Sequence, residues 1–230
     1  MKSTRRDFLR QSLVVGAAGM YWVGTSRGED QPKSKNDRPH FAVVGAGGMG
    51  GAHGGSLARL GAIVGICDVD RGHAERYNQA HAGGKAELYG DHRKMLERKD
   101  IDMVLIATPD HWHTRVCLDA MRSGKDVYCE KPLTLTVDEG RLLVNCARET
   151  GKILQVGTQQ RSDREFQTAV ALVQAGRLGK MKRATCAIGG GPRGGPFKKQ
   201  EPPQGLDWDR WLGQAPKVDY IRERCHGNFR

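Results

Sequence analysis

The sequence lacks several features that would assign it to other classes of protein. Its six cysteines include no C-x-x-C pair, and Cys67 and Cys129 fall inside apolar runs, which predicts buried thiols. The net charge is +11, but Lys and Arg are spread along the chain without a recognition-helix or RNP-type pattern, so nucleic acid is not expected as a partner. The apolar run from Leu13 to Val23 is too short for a comfortable membrane span. With 31 glycines, 38% hydrophobic and 27% charged residues, the 230 residues suffice for one large globular domain or two small ones.

The most informative stretch runs from His40 to Asp70. A short apolar strand precedes a turn with G-x-G-x-x-G spacing at residues 45–50, and a helix-compatible segment and a second apolar strand follow. Gly45 allows the tight turn, Gly47 lets the backbone approach a pyrophosphate, and Gly50 lets helix and strand pack closely. The free N–H groups at the helix start attract phosphates. Asp68 ends the second strand where a ribose diol would be held, so the order of these features predicts a dinucleotide site rather than a tight, ligand-free turn.

Strands and helices alternate over residues 39–160, the pattern of an α/β protein with a doubly wound parallel (Rossmann) sheet. We predict strands at 41–44, 62–68, 86–89, 102–107, 126–129 and 153–156, and helices at 69–82 and 91–99. A further helix capped by Asp110 ends before Gly124, and one capped by Thr136 ends at Gly151. The second of these should turn Leu142, Leu143, Cys146 and Ala147 inward.

Residues 161–230 have a different character. A helix with Phe166 and Val170 on one face precedes a predicted strand at 180–188, a glycine-rich loop at 189–196 and a short helical turn at 208–213. We expect this region to begin an α+β domain for substrate binding and oligomerisation, with an open, mainly antiparallel sheet. Only one clear strand of that sheet is present and such an edge would be a liability, so the sequence predicts a truncated chain or a fragment.

Five stretches of the chain resemble the glucose-fructose oxidoreductase, inositol dehydrogenase and MocA (Gfo/Idh/MocA) family. They are VGAGGMG at 44–50, CD at 67–68, ATPDHWH at 107–113, GKDVYCEKPL at 124–133 and QVGTQ at 155–159, and the Glu-Lys-Pro placement is the specific one. LDWDRWLG at 206–213 and RCHGNFR at 224–230 resemble exported bacterial members. The resemblance implies that Lys131 contacts cofactor and substrate. It also implies that a downstream Asp and His, which would lie shortly after residue 230, complete the catalytic set.

The motifs and the resemblance together give a predicted set of site residues. Lys131 is the catalytic candidate, Lys131, Arg224 and His226 are substrate candidates, and no metal site is predicted. The predicted cofactor-binding residues are Gly45, Gly47, Gly48, Met49, Gly50, Asp68, Thr108, Pro109, His111, Glu130, Lys131 and Gln159. Asp68 favours NAD, although Arg71 could still admit NADP.

Each candidate has a simpler alternative. An ammonium at Lys131 can stabilise a developing alkoxide as hydride leaves, whereas a solvated ion pair with Glu130 would be worth little. Thr108 and Pro109 could form an ordinary strand-to-helix turn, and His226 could be a surface histidine. His111 and His113 are two residues apart, which a helix does not place on one face, so we do not expect them to bind a metal. The base rate predicts a trans Lys131-Pro132 peptide.

Two reactions fit these residues. The first is a nicotinamide-dependent dehydrogenase that moves hydride between NAD(P) and a hydroxyl carbon of a sugar, cyclitol or related polyol. The second, from the same family, is an NAD-dependent glycosidase that works by oxidation and elimination. A third possibility is a non-catalytic dinucleotide-binding fragment. By resemblance, the full-length protein is expected to be a homo-oligomer.

Residues 1–27 resemble a twin-arginine export signal. Thr4-Arg5-Arg6-Asp7-Phe8-Leu9-Arg10 matches the pattern S/T-R-R-x-F-L-K with Arg10 where Lys is usual, and the weakly apolar run follows. The resemblance implies export of the folded protein by the twin-arginine machinery to the periplasm or another extracytoplasmic location. No clear A-x-A cleavage site follows, so the segment could instead remain as a membrane anchor. Residues 28–38 are polar and predict a disordered linker.

Overall fold

The structure is a computed structural model that describes residues 38–187, 189–190 and 194–228. The predicted export signal and nearly all of the predicted linker lie outside these residues. The fold described below belongs to the compact unit Pro39–Arg230. No helix within the described ranges is long and apolar enough to cross a membrane.

Six parallel strands form one sheet. They are β1 (His40–Val44), β2 (Ala62–Cys67), β3 (Glu87–Tyr89), β4 (Met103–Ile106), β5 (Asp126–Glu130) and β6 (Leu154–Gly157). Their order is β3-β2-β1-β4-β5-β6, and every neighbouring pair is parallel. This is the order of a doubly wound sheet, so the predicted α/β class with a doubly wound parallel (Rossmann) sheet is confirmed. The winding reverses between β1 and β4, and ligands of such sheets bind at that point, beyond the carboxyl ends of the strands.

Five helices connect the strands. They are α1 (Gly48–Leu60), α2 (Arg71–Ala82), α3 (His92–Leu96), α4 (Asp110–Arg122) and α5 (Val137–Thr150). The helices and strands predicted for residues 39–160 are all present, with ends shifted by a few residues. The predicted cap of α4 is wrong: Asp110 is the first residue of that helix, and the cap position belongs to Pro109, which has no side-chain bond to offer.

The sheet has a hydrophobic core on each face because successive side chains of a strand point to opposite sides. Phe41 and Val43 pack against α1 and α2, whereas Ala42 and Val44 pack with residues of α3, α4 and α5. Leu143 and Cys146 of α5 are buried, but the inward prediction for Leu142 is wrong, since its side chain is exposed. Adjacent residues on a helix point in directions about 100° apart, and on α5 Leu143 faces the sheet while Leu142 points to the solvent side. The prediction of buried thiols holds for five cysteines and is wrong for Cys186, which is exposed.

Among the described residues after β6, the α-helices are α6 (Arg164–Gln174) and α7 (Trp208–Leu212), accompanied by short 3-10 turns. The prediction of a strand at 180–188 is wrong for residues 180–187, which form no strand and are exposed, and Ile188 lies outside the described residues. An alternating pattern forms a strand only where a partner supplies hydrogen bonds, and residues 180–187 have no such partner in the described part of the chain. Phe166 and Val170 of α6 are exposed for the same lack of a packing partner there.

Residues 205–225 lie against the carboxyl edge of the sheet. Asp207 donates its N–H to the Val69 carbonyl at 2.9 Å, and Arg71 donates to the Gly205 carbonyl at 2.9 Å. The indole nitrogen of Trp112 donates to the Trp211 carbonyl at 3.1 Å. A third hydrophobic cluster fills this contact, formed by Leu206, Trp211, Leu212, Tyr220 and Cys225. The segment thereby forms one wall of the cleft described next.

Candidate active site

A cleft of about 350 Å³ lies at the carboxyl edge of the sheet. The loops after β1, β2, β4 and β5 form most of it, and Trp211, His226 and Gly227 complete it. The structure brings ten predicted site residues together here: Gly45, Gly47, Gly48, Met49, Asp68, Thr108, Pro109, Glu130, Lys131 and His226. The other four, Gly50, His111, Gln159 and Arg224, are not among the described residues that line this cleft.

The glycine turn is shaped to admit a pyrophosphate. Gly45 has φ +88°, and a Cβ there would lie 2.6 Å from the Ala107 carbonyl oxygen. A Cβ on Gly50 would overlap the Gly45 carbonyl oxygen, so both glycines are required by the fold itself. A Cβ on Gly47 would meet only the His73 ring, at 3.5 Å, and Gly48 faces open space. These two glycines leave the start of α1 uncovered, where N–H groups can bind phosphate oxygens.

Asp68 ties the glycine turn to the loop after β2. One carboxylate oxygen accepts the Ala46 N–H at 2.7 Å, and the other accepts the Asp70 N–H at 2.8 Å. The carboxylate faces the cleft from the end of β2, where the acid of a dinucleotide fold binds the ribose diol. The turn, the helix start and this acid therefore fit NAD.

Glu130 and Lys131 lie at the end of β5. The buried Glu130 carboxylate hydrogen-bonds His53 Nε2 at 2.7 Å and accepts the Lys131 N–H at 3.2 Å. The alternative of a Glu130–Lys131 ion pair is wrong, because this carboxylate is engaged by His53 and the backbone, while the Lys131 side chain is exposed in the cleft. The Lys131-Pro132 peptide is cis, contrary to the base-rate expectation.

The buried His113 side chain on α4 connects the loops after β4 and β5. Its Nδ1 lies 2.6 Å from the Pro132 carbonyl oxygen, and its Nε2 lies 2.8 Å from the Thr108 carbonyl oxygen. Both nitrogens can donate only when the ring is protonated. Burial lowers the pKa of His113, but its contacts with Cys129 and the two carbonyls outweigh burial and raise the pKa to about 9. Sequence reasoning missed this role, although the spacing from His113 to Val116, Cys117 and Ala120 places it on the buried face of α4.

His226 lies beside Asp70 and His73 at the cleft. Its Nε2 is 3.3 Å from Asp70 Oδ2, and its ring centroid is 4.5 Å from that of His73. Burial and the nearby His73 lower the pKa of His226. The Asp68 carboxylate raises the pKa of His73 above its usual value, against the effect of burial.

His111 and Arg224 have other contacts. His111 Nε2 lies 2.9 Å from the Trp211 carbonyl oxygen, where it helps to hold residues 205–225 in place. The Arg224 guanidinium lies over the Phe197 ring, 5.6 Å from its centroid.

Together, the fold and the cleft define a dinucleotide-binding Rossmann domain. Residues 40–158 match the model of an oxidoreductase family with an NAD-binding Rossmann fold, GFO_IDH_MocA. The chain belongs to this Gfo/Idh/MocA family, and the prediction of NAD as cofactor is confirmed at the level of the family.

Known proteins are similar to the chain over part of their length. It is 28% identical over 214 residues to an α-N-acetylgalactosaminidase of Tannerella forsythia, covering 81% of this chain and 45% of that protein. It is 35% identical over 142 residues to a scyllo-inositol 2-dehydrogenase (NAD(+)) of Bacillus subtilis (strain 168), covering 60% of this chain and 41% of that protein. The crystal structure of myo-inositol 2-dehydrogenase from Lactobacillus plantarum matches with a TM-score of 0.58 at 26% identity, covering 62% of this chain and 43% of that one. The chain thus spans less than half the length of these relatives.

Proposed function

We propose that the protein is an NAD-dependent dehydrogenase that transfers hydride between the nicotinamide and a hydroxyl carbon of a sugar, cyclitol or related polyol. The observation that carries the proposal is the position of Lys131, which shares one cleft with the glycine turn and Asp68. Similarity to inositol dehydrogenases supports a polyol as substrate. When bound, NAD supplies the hydride acceptor.

The side chains of this protein then have separate tasks. The start of α1 holds the pyrophosphate and Asp68 the adenosine ribose, while Thr108 and Pro109 border the nicotinamide ribose. The Lys131 ammonium hydrogen-bonds the reacting hydroxyl oxygen and stabilises the negative charge that develops on it. The hydroxyl proton leaves to a general base, for which the family resemblance implies the downstream Asp or His. Glu130 holds the Lys131 backbone, and His113 fixes the loops on both sides.

A single-turnover measurement with saturating NAD tests the role of Lys131. In Lys131→Met of the full-length protein we expect hydride transfer from the polyol to slow by about 100- to 1000-fold, the usual loss for one charge-stabilising donor. Cofactor affinity should stay within a few-fold, because the glycine turn holds the pyrophosphate. The matched control is Lys85→Met, at an exposed lysine after α2. If the rate of Lys131→Met stays within a few-fold of wild type, Lys131 is not the catalytic residue.

The second candidate is an NAD-dependent glycosidase. The alignment with the α-N-acetylgalactosaminidase covers 81% of this chain, more than the alignment with the inositol dehydrogenase, and this observation favours it. The two reactions differ in their net products. Net reduction of added NAD with inositols supports the dehydrogenase, whereas cleavage of an N-acetylgalactosaminide without net reduction supports the glycosidase.

We also propose that residues 1–27 direct export by the twin-arginine route to the periplasm or another extracytoplasmic location. The support is the Arg5-Arg6 pair followed by a weakly apolar run. Changing both arginines to lysine should keep the protein in the cytoplasm, and unchanged export of that double variant would contradict the proposal.

The division into domains and the assembly are proposals as well. We place the boundary between residues 39–160 and 161–230, which is supported by the end of the sheet at Gly157. We propose that the second domain binds substrate and forms the contacts of a homo-oligomer. Sedimentation of the full-length protein tests the oligomer.

A further inference from the structure

Three side chains from distant parts of the chain converge at the rim of the cleft. Asp70 caps α2, His73 lies one turn later, and His226 comes from the C-terminal segment. One oxygen or nitrogen from each residue lies within 4.8 Å of the other two. Asp70 Oδ2 is 3.3 Å from His226 Nε2 and 3.9 Å from His73 Nε2.

The two distances from Asp70 are close to those between the ligands of one metal ion. Zinc binds nitrogen and oxygen at about 2.0–2.2 Å in a tetrahedron, so its ligand atoms lie about 3.4 Å apart. The Asp70–His226 pair, at 3.3 Å, already has this spacing, and the Asp70–His73 pair, at 3.9 Å, is slightly wider. Asp70 can serve as both cap and ligand, because Oδ1 accepts the His73 N–H at 3.2 Å and Oδ2 faces the two imidazoles.

A second carboxylate orients His73 for this role. Its Nδ1 lies 3.7 Å from Asp68 Oδ2, and backbone N–H groups of Ala46 and Asp70 fix the Asp68 carboxylate. Histidines that bind metals usually direct the other ring nitrogen to a carboxylate or carbonyl. This arrangement turns His73 Nε2 toward Asp70 and His226, and it is independent of the spacing among the three ligands.

We propose that Asp70, His73 and His226 bind a divalent transition-metal ion, with zinc as the best match to two imidazoles and one carboxylate. A hydrogen bond between His226 and Asp70 would explain one of the three separations, whereas a metal explains why all three side chains converge. Three protein ligands leave the fourth position for water. The ion would fasten residues 226–227 to α2 beside the proposed cofactor site. Sequence reasoning considered only His111 and His113 as metal ligands and missed this cluster, since His226 lies far along the chain from Asp70 and His73.

The test is calorimetric titration of the untagged, chelator-treated chain with zinc sulfate in the absence of NAD. We expect one zinc per chain in wild type. His73→Gln and His226→Gln should each weaken binding by at least about 100-fold, since each removes a ligand. Asp68→Asn should weaken it by about 10- to 100-fold, the usual cost of losing an orienting partner. The matched control is His81→Gln on the same helix, whose ring packs on Tyr77 and which should bind zinc like wild type.

Cobalt(II) provides the second measurement. Wild type should show the visible absorption of four-coordinate cobalt, and His226→Gln should lose it while its circular dichroism stays unchanged. Absence of stoichiometric zinc binding by wild type would overturn the proposal. So would zinc binding by His226→Gln that is as tight as wild type, or an equal loss in His81→Gln. None of these results bears on hydride transfer, so this proposal and the proposed function fail separately.

Discussion

Asp68, Glu130 and His113 all bind backbone atoms of the loops that follow the strands. Asp68 accepts the Ala46 N–H, Glu130 accepts the Lys131 N–H, and His113 contacts two carbonyls. Loops at strand ends have few other constraints, so such bonds fix the shape of the cleft. The positions of Asp68 and Glu130 at strand ends could be predicted from the sequence. Their backbone partners could not, because these depend on how the loops meet.

The preference for NAD over NADP should depend on Asp68. The carboxylate accepts bonds from a ribose diol and repels a 2′-phosphate, so wild type should bind NAD more tightly. Asp68→Asn should lose about 1.5–3 kcal/mol of NAD binding, the range for hydrogen bonds to charged groups. NADP binding should change less, so the ratio of NAD affinity to NADP affinity should fall. Calorimetric titrations with both cofactors measure this, and Asp138→Asn, at an exposed residue of α5, is the control. Equal or tighter NADP binding by wild type would refute the assignment.

The protonated state of His113 should make stability depend on pH. Its folded pKa, about 9, exceeds the ordinary value of 6.5, so its contribution is fully present below pH 6.5 and is lost as pH rises through 9. The difference in unfolding free energy between wild type and His113→Gln should therefore decrease by about 1–3 kcal/mol between about pH 6 and pH 10. Urea unfolding of both proteins across this range measures the difference. His81→Gln is the control, and a gap that stays constant or widens with pH would contradict a protonated His113.

Helix ends show which parts of the fold are encoded locally. Thr136 and Glu139 form a capping box at the start of α5, and Gly151 ends the helix at φ +66°. Capping residues of this kind can be recognised from the sequence alone, and so can apolar runs such as the one that forms β4. The strand expected at 180–187 depends on a distant partner, so its alternating pattern was insufficient.

The cap of α5 can be tested directly. Thr136→Ala removes the acceptor for the Glu139 N–H and should lower the unfolding free energy by about 1 kcal/mol. Denaturant unfolding measures the change. Thr168→Ala is the control, because that hydroxyl on α6 bonds back to the Arg164 carbonyl and caps nothing. Equal effects of the two variants would mean that the capping box does not stabilise α5.

At the scale of the molecule, the order of strands and helices could be predicted from the sequence, whereas the contacts between distant elements could not. The glycine turn, the acid after β2 and Lys131 after β5 could be placed at one edge because parallel strands end together. The packing of residues 205–225 on that edge could not be predicted, since it depends on contacts such as Trp112 with Trp211. The convergence of His226 with Asp70 and His73 follows from the same packing.

The central claim is that the glycine turn binds the pyrophosphate of NAD, and titration of Gly47→Ala with NADH tests it most directly. A Cβ at Gly47 meets the His73 ring at an ordinary 3.5 Å, so the fold should tolerate it, while the pyrophosphate would lose its close approach. Gly51→Ala, within α1 with open space around the added Cβ, is the matched control. We predict saturable NADH binding by wild type and Gly51→Ala, and an affinity at least about 10-fold lower in Gly47→Ala, equal to about 1.4 kcal/mol. Absence of saturable binding by wild type, or wild-type affinity in Gly47→Ala, would contradict the account.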